Sequence, residues 1–197
     1  MLRPGTIINR MGETAAAQQI RSFERINVVG TSGSGKTMLA RELARLLNLP
    51  YVEMDALFWK PGWRESSNEE FFPKVQEAIS GDRWVLDGNY TRTLPIKWKR
   101  VQAVVWLDSS FLRTIARVAS RTIRRGLTQE ELWAGTGNRE SLSQAFFSRK
   151  SIIWWAITTH GANRAKYSAS MASPEYAHIS FVRLRTLGEA KDLLEMI

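Results

Sequence analysis

The residues best suited to chemistry form one glycine-rich loop early in the chain. Its eight members fit the pattern G-x-x-x-x-G-K-[ST]: Gly30, Thr31, Ser32, Gly33, Ser34, Gly35, Lys36 and Thr37. The glycines let the backbone curl until successive N–H groups point into one concavity, which suits the phosphates of a nucleotide. Lys36 can reach the β- and γ-phosphates, and the Thr37 hydroxyl suits Mg²⁺. These residues predict a site that binds ATP and Mg²⁺.

Three aspartates follow short apolar segments and are the candidate acidic groups. Asp87 is the candidate for a second Mg²⁺ ligand, directly or through water, with a turn residue before Gly88 as the alternative. Asp55 stands where an acceptor substrate would bind and could accept a proton from a hydroxyl group, with helix capping as the alternative. Asp108 fits a structural cap and a functional role equally well.

Two arginines form the candidate clamp for the transferring phosphoryl group. Arg117 and Arg121 are four residues apart, so they share one face of the helix that the sequence predicts for residues 111–125. Directed at bound phosphates, they would act as catalytic residues alongside Lys36, Asp55 and Asp87. A solvated basic face is the competing interpretation.

Several aromatic side chains could serve binding or the core. Phe58, Trp59 and Trp63 could stack a flat acceptor, although a core role is favoured for tryptophans in general. The pairs Phe146/Phe147 and Trp154/Trp155 are interpreted as core or helix packing.

The surrounding pattern alternates strands with helices. Predicted strands cover residues 26–29, 51–54, 84–86, 103–107 and 179–184, and helices follow the glycine-rich loop and lie near 67–79, 111–125, 141–158 and 186–197. Such alternation predicts an α/β fold of three layers, with a parallel sheet covered by helices on both faces. Ligands of such sheets bind at the carboxyl ends of the strands, where the loop and the three aspartates all fall.

Length, charge and cysteine content limit the domain organisation and the kinds of site that the chain can have. The 197 residues suit one domain over residues 25–197, preceded by a mobile or loosely packed extension over 1–24. The net charge is +9, and residues 109–150 alone carry eight basic and three acidic side chains. Cysteine is absent, which excludes disulfides and thiolate metal sites. With no signal-peptide or membrane-span pattern, the cytoplasm is the expected location, and the oligomeric state stays open.

These motifs resemble the adenylate kinase-like group of P-loop kinases over residues 25 to about 195. Leu86-Asp87-Gly88 is similar to the LDG of adenylate kinases, whose aspartate serves Mg²⁺, and Arg117-x-x-x-Arg121 resembles the arginine pair that contacts ATP at the base of their lid. The runs GTSGSGKT, RWVLDGNY, ELWAGTGNRESL and FFSRKSIIWWA resemble a bacterial group catalogued as "adenylate kinase and related kinases" or "DNA topology modulation protein". The resemblance implies strand order 2-3-1-4-5 and a helical lid around residues 122–165.

The acceptor side departs from adenylate kinases. Met54-Asp55 stands where those enzymes carry a segment with an AMP-gripping arginine, and Thr91 replaces an arginine further on. A carboxylate there resembles shikimate- and gluconate-type kinases, which phosphorylate a hydroxyl group. A nucleoside monophosphate would instead need cationic clamps, for which the candidates are Arg64, Arg92, Lys97 and Arg100.

The main hypothesis is therefore an ATP-dependent phosphotransferase acting on a nucleotide or another small molecule. The alternative is a nucleotide-regulated ATPase that binds DNA and affects its topology, suggested by the basic charge but supported by no nucleic-acid-binding motif. A guanine-specific switch is disfavoured because the sequence lacks N-K-x-D.

Overall fold

The computed structural model describes residues 10–141 and 151–197. Within them the strands are β1 Arg25–Val29, β2 Tyr51–Glu53, β3 Trp59–Lys60, β4 Arg64–Glu65, β5 Trp84–Asp87, β6 Ala103–Leu107 and β7 Ser180–Leu184. Five of them form a parallel sheet in the order β2-β5-β1-β6-β7, and β3 pairs antiparallel with β4. Counted along the sheet's own strands, this is the predicted order 2-3-1-4-5, which is confirmed.

The helices are α1 Arg10–Arg21, α2 Lys36–Leu46, α3 Met54–Phe58, α4 Asn68–Ala78, α5 Leu94–Lys97, α6 Phe111–Thr128, α7 Ile152–Ala172 and α8 Leu187–Met196. Two of them begin with the caps that the sequence predicts. The Ser67 amide donates to Glu70 Oε2 over 3.0 Å before α4, and the Glu189 amide donates to Thr186 Oγ1 over 3.1 Å at the start of α8.

Two apolar layers enclose the sheet, because successive side chains of β1 point to opposite faces. Ile26 and Val28 pack with the buried residues of α1, α2 and α8. Val29 packs on the other side with residues of α3 and α4 and with Trp98 and Trp106. The structure therefore has the three layers predicted, and the sheet presents the carboxyl ends of its strands along one edge.

The predicted loose extension over residues 1–24 is wrong for its second half. Helix α1 occupies Arg10–Arg21, and its residues Ala16, Ala17 and Ile20 are fully buried. The helix packs against α8, and Arg21 Nη2 donates to the Met196 carbonyl over 2.6 Å. The division at residue 25 otherwise stays a prediction.

The lid region differs from the sequence prediction. Helix α6 continues to Thr128, and residues Glu131 and Arg139 then form an isolated antiparallel bridge rather than helix. The helix predicted over 141–158 is α7, which ends at Ala172; residues 142–150, with Phe146 and Phe147, lie outside the described residues. Trp154 and Trp155 are 48% and 60% exposed, so the core role predicted for them is wrong.

No helix in residues 10–141 or 151–197 combines the length and apolar character needed to cross a bilayer.

Candidate active site

The glycine-rich loop connects the end of β1 to the first residue of α2. Gly33 and Gly35 have φ values of +80° and +103°, in the left-handed region that favours glycine. A Cβ on Gly33 would lie 2.3 Å from Cγ2 of Val118, so the loop touches the backbone and side chains of α6. Gly35 is the N-cap of α2, and the helix therefore directs its N-terminal amides toward the loop.

Asp87 ends β5 directly beside this loop, and its side chain is buried, with 3% exposed. Tyr51 donates its hydroxyl to Oδ2 over 3.1 Å, and the side chain of Thr37 is close enough to lower the pKa of the carboxyl group. Oδ1 has no hydrogen-bond partner among the described residues. Burial raises the pKa of Asp87, and the nearby charge of Lys36 partly offsets that effect. A buried carboxylate oxygen left free beside a threonine hydroxyl fits a ligand pair for Mg²⁺.

The predicted arginine pair lies on the loop. Arg117 Nη1 donates to the Ser34 carbonyl over 2.7 Å, and Arg121 Nη2 donates to Ser32 Oγ over 3.2 Å. Burial lowers the pKa of both guanidinium groups, which stay charged because the ordinary value is so high. The solvated-face interpretation is therefore wrong for these two residues, although their neighbours Arg113 and Arg124 are exposed.

Asp55 lies in the first turn of α3. The Tyr90 hydroxyl donates to Asp55 Oδ1 over 2.7 Å, and burial together with this carboxylate raises the pKa of Tyr90. The charge of Asp55 raises the pKa of both Asp87 and Arg121. The carboxylate is therefore near enough to Asp87 and to Arg121 for its charge to act on both side chains.

Of the four cations predicted as phosphate clamps, Arg92 is the one whose charge acts on the Tyr90 hydroxyl. Its guanidinium lies over the rings of Phe58 and Phe71, at 4.8 and 5.3 Å. Arg100 is directed elsewhere, since it donates to the carbonyls of residues 79 and 80 and pairs with Asp82. Lys97 is fully buried, so its side chain is not presented to an acceptor.

Arg64 lies exposed in the β3–β4 hairpin, where its Nε donates to the Pro61 carbonyl over 3.3 Å. Asp108 forms ion pairs with two arginines. Its Oδ2 accepts a hydrogen bond from Arg183 Nε over 3.0 Å and lies 3.4 Å from Arg164 Nε. These contacts give Asp108 a structural role as an ion-pair partner, whereas the cap predicted for it is wrong, because Ser110 is the N-cap of α6.

Residues 131–139 lie within the predicted lid region, but the sequence analysis gave no role to Trp133 or Asn138, through which the segment contacts β2 and the β3–β4 hairpin. Trp133 Nε1 donates to Glu53 Oε1 over 3.1 Å, and its ring stacks with Trp59 at 6.2 Å and 16°. Asn138 Nδ2 donates to the Lys60 carbonyl over 3.0 Å, and Asn138 Oδ1 accepts from the Trp63 amide over 2.9 Å. The segment is thus docked on the hairpin that follows Asp55. Phe58 belongs to the core, whereas Trp59 and Trp63 form this docking surface.

Asn89 is a second residue that the sequence analysis missed. Its Oδ1 accepts from the Gly30 amide over 2.9 Å, and its Nδ2 donates to the Gly30 carbonyl. The Tyr167 hydroxyl of α7 donates to the same Oδ1 over 3.1 Å. The turn after β5 therefore holds the first glycine of the loop in place.

No protein-family model matches the chain. A cytidylate kinase of Oleidesulfovibrio alaskensis is 26% identical over 173 residues, covering 85% of this chain and 74% of the relative. The structure of a shikimate kinase from Acinetobacter baumannii in complex with shikimate is similar with a TM-score of 0.55 at 17% identity, covering 91% of this chain and 93% of that one. A gluconokinase from Sinorhizobium meliloti has a TM-score of 0.47 at 15% identity, with coverages of 88% and 90%.

The shikimate kinase structure confirms the predicted fold. The cytidylate kinase is similar in sequence over most of this chain, which is consistent with the adenylate kinase-like resemblance.

Proposed function

We propose that the chain is a P-loop kinase and that it transfers the γ-phosphoryl group of ATP to a small-molecule acceptor. The observation that carries the proposal is the free, buried Oδ1 of Asp87 beside Thr37 at the glycine-rich loop. A carboxylate oxygen without a partner is costly in a protein interior, and a bound cation would supply that partner.

The nucleotide side of the reaction would be served by the loop. Its amides and the Lys36 ammonium hold the β- and γ-phosphates, while Arg117 and Arg121, already bonded to the loop, neutralise charge that develops during transfer. Thr37 and Asp87 would hold Mg²⁺, which would offset the negative charge of the phosphates. No group of three or more Asp, Glu, His or Cys side chains clusters within residues 10–141 and 151–197, so phosphates and water would complete the ion's ligands.

On the acceptor side we favour a hydroxyl group over a nucleoside monophosphate. The acceptor oxygen would attack the γ-phosphorus, the bond from that phosphorus to the β–γ bridging oxygen would break, and ADP would leave. Asp55 would take the hydroxyl proton, and its bond from Tyr90 restrains the orientation of the carboxylate. A monophosphate would need several cations here, and two of the four predicted ones are engaged elsewhere: Lys97 is buried, and Arg100 bonds residues 79, 80 and 82.

The test is release of ADP from Mg·ATP in the presence of pooled acceptors. One pool holds nucleoside monophosphates and the other holds small hydroxyl compounds, and the phosphorylated product is identified by mass spectrometry. We expect stimulation by the hydroxyl pool, lost in Lys36→Ala and kept in the matched control Lys99→Ala, whose side chain is exposed. Stimulation by the monophosphates alone would reassign the acceptor, and no stimulation by either pool would reject the kinase.

The net charge of +9 favours a second candidate, a nucleotide-regulated ATPase that binds DNA. Charge alone would give affinity for duplex DNA that falls steeply with salt and shows no sequence preference. ATP hydrolysis stimulated by DNA, without any small-molecule acceptor, would support this candidate over the kinase. The cytoplasmic location remains a prediction from the sequence.

A further inference from the structure

Lys97 is a lysine whose side chain is fully buried, at 0% exposure, at the end of α5. Its Nζ donates to the Gly88 carbonyl over 3.1 Å and lies 3.8 Å from Met54 Sδ. No Asp or Glu in residues 10–141 or 151–197 forms an ion pair with it. An ammonium group has three protons to donate, and this one has a single oxygen acceptor.

Such an arrangement is expensive for the folded state. Burial, reinforced by the charge of Lys166, lowers the pKa of Lys97 to about 7, while Asp87 acts in the opposite direction. A buried cation without a carboxylate partner costs stability, whereas an apolar side chain of similar length would fill the same space. Packing alone therefore gives no reason for a lysine at this position.

Both residues that Lys97 Nζ contacts, Gly88 and Met54, adjoin residues of the proposed site. Gly88 lies between Asp87, the proposed Mg²⁺ ligand, and Asn89, which bonds the first glycine of the loop. Met54, the other contact, directly precedes Asp55 and packs so tightly on Gly88 that a Cβ there would lie 2.7 Å from it. Lys97 thus contacts the residue that follows Asp87 and the residue that precedes Asp55.

We propose that Lys97 is a positioning residue: its buried ammonium holds the Gly88 carbonyl and so fixes the turn that directs Asp87 toward the metal and nucleotide. The proposal rests on the proposed function, because it assigns Lys97 a role through Asp87. Loss of a group that orients a metal ligand commonly lowers metal affinity or activity by about 10- to 100-fold.

A structural role and a positioning role predict opposite results for Lys97→Met. If the lysine only stabilised the fold, the variant would unfold at a lower temperature. If it is kept for the site, the variant unfolds at the same or a higher temperature, because a buried charge is gone, while the use of Mg²⁺ becomes worse.

The experiment compares wild type with Lys97→Met and Lys97→Gln, which keeps a donor without the charge. Lys99→Met is the matched control, since it removes the same charge from an exposed lysine two residues away. Thermal unfolding is measured without ligand, and ADP binding is measured by calorimetry across a Mg²⁺ titration. We expect Lys97→Met to unfold no lower than wild type and to need about 10-fold more Mg²⁺ for half-maximal ADP binding, with Lys97→Gln intermediate and Lys99→Met unchanged.

An unchanged Mg²⁺ requirement in Lys97→Met would overturn the inference, and so would a lower unfolding temperature or failure to fold. Calorimetry keeps this test separate from the proposed function. If no acceptor stimulates ADP release, the proposed phosphoryl transfer is rejected. The Mg²⁺ dependence of ADP binding can still be measured in that case, so it tests the role of Lys97 separately.

Discussion

The hydroxyl of Tyr90 donates a 2.7 Å hydrogen bond to Oδ1 of Asp55. The two residues are 35 positions apart, and each lies just beyond the carboxyl end of a strand of the same parallel sheet. The bond restrains the orientation of the Asp55 carboxylate through one of its two oxygens.

Asp55→Asn should abolish transfer to a hydroxyl acceptor with ATP binding retained, because the amide cannot accept the proton. Removal of a general base commonly costs about 10²- to 10⁴-fold in rate. Acceptor-dependent ADP release and the Kd for ATP check the two parts of this expectation. Unchanged turnover, or loss of ATP binding, would contradict the assignment of Asp55 to the acceptor.

Tyr90→Phe should reduce transfer more mildly, because Asp55 keeps its charge and loses only its orientation. A hydrogen bond to a charged group is worth about 1.5–3 kcal/mol, which corresponds to roughly 10- to 100-fold in kcat/KM. Tyr176→Phe is the control, since Tyr176 packs on Trp98 away from Asp55. Equal effects of the two variants would argue against a specific role for the Tyr90 bond.

Asp87→Asn should stabilise the unliganded protein at neutral pH. Burial raises the pKa of Asp87, so the folded state holds a proton to higher pH than the unfolded state, and stability falls as pH rises through that window. Because the variant has no buried charge, its free energy of unfolding, measured by chemical denaturation, should be about 1–3 kcal/mol higher. The same variant should lose the stabilisation that Mg²⁺ and ADP give to wild type.

The control for that change is Asp82→Asn, whose carboxylate is 84% exposed and pairs with Arg100 at the surface. It should alter stability by about 0.5 kcal/mol or less and keep the response to ligand. A less stable Asp87→Asn protein would show that Asp87 serves the fold rather than a ligand.

The stability difference between Lys97→Met and wild type should shrink as pH rises from 7 to 9. The pKa of Lys97 is about 7 in the folded state, below the ordinary value of 10.5, so the unfolded chain binds the extra proton between these values. Stability of wild type therefore rises with pH in this window, by at most about 1.4 kcal/mol per pH unit, and that contribution is absent in the variant. A constant difference across the window would show that Lys97 titrates normally.

Gly33→Ala should lower both stability and nucleotide affinity. Its φ of +80° is unfavourable for alanine, and the new Cβ would lie 2.3 Å from Val118 Cγ2 and 2.9 Å from the Thr114 carbonyl oxygen. The strain of the left-handed backbone alone lowers the free energy of unfolding by about 1–3 kcal/mol, which thermal unfolding can detect. Calorimetry measures the affinity of the altered loop for ATP. Gly81→Ala, with no atom within 4 Å of the added Cβ, should behave like wild type.

The parts of the site that the sequence predicted are those set by local pattern. The glycine-rich loop is one continuous motif, and the four-residue spacing of Arg117 and Arg121 already places them on one helix face. Their bonds to Ser34 and Ser32 follow once α6 packs beside the loop. The strand order likewise followed from the resemblance that these motifs carry.

The missed residues depend on partners far along the chain. Asn89 bonds Gly30 across 59 positions, Trp133 bonds Glu53 across 80, and Asn138 bonds Lys60 across 78. No periodicity marks an asparagine or tryptophan for such a contact. The burial of Lys97 was missed for the same reason: the sequence analysis gave it as a candidate phosphate clamp, whereas its Nζ bonds the Gly88 carbonyl and lies near Met54 Sδ.

The packing of α1 on α8 has a consequence for how the protein is made. The buried face of α1, with Ala16, Ala17 and Ile20, finds its partner in the last helix, and Gln19 also reaches Ser180 on the edge strand β7. Along the chain α1 precedes every strand of the sheet, whereas α8, the helix on which it packs, follows the last strand. We therefore expect nascent chains that stop before residue 187 to expose this apolar helix face to chaperones, and the fold to close in a single late step.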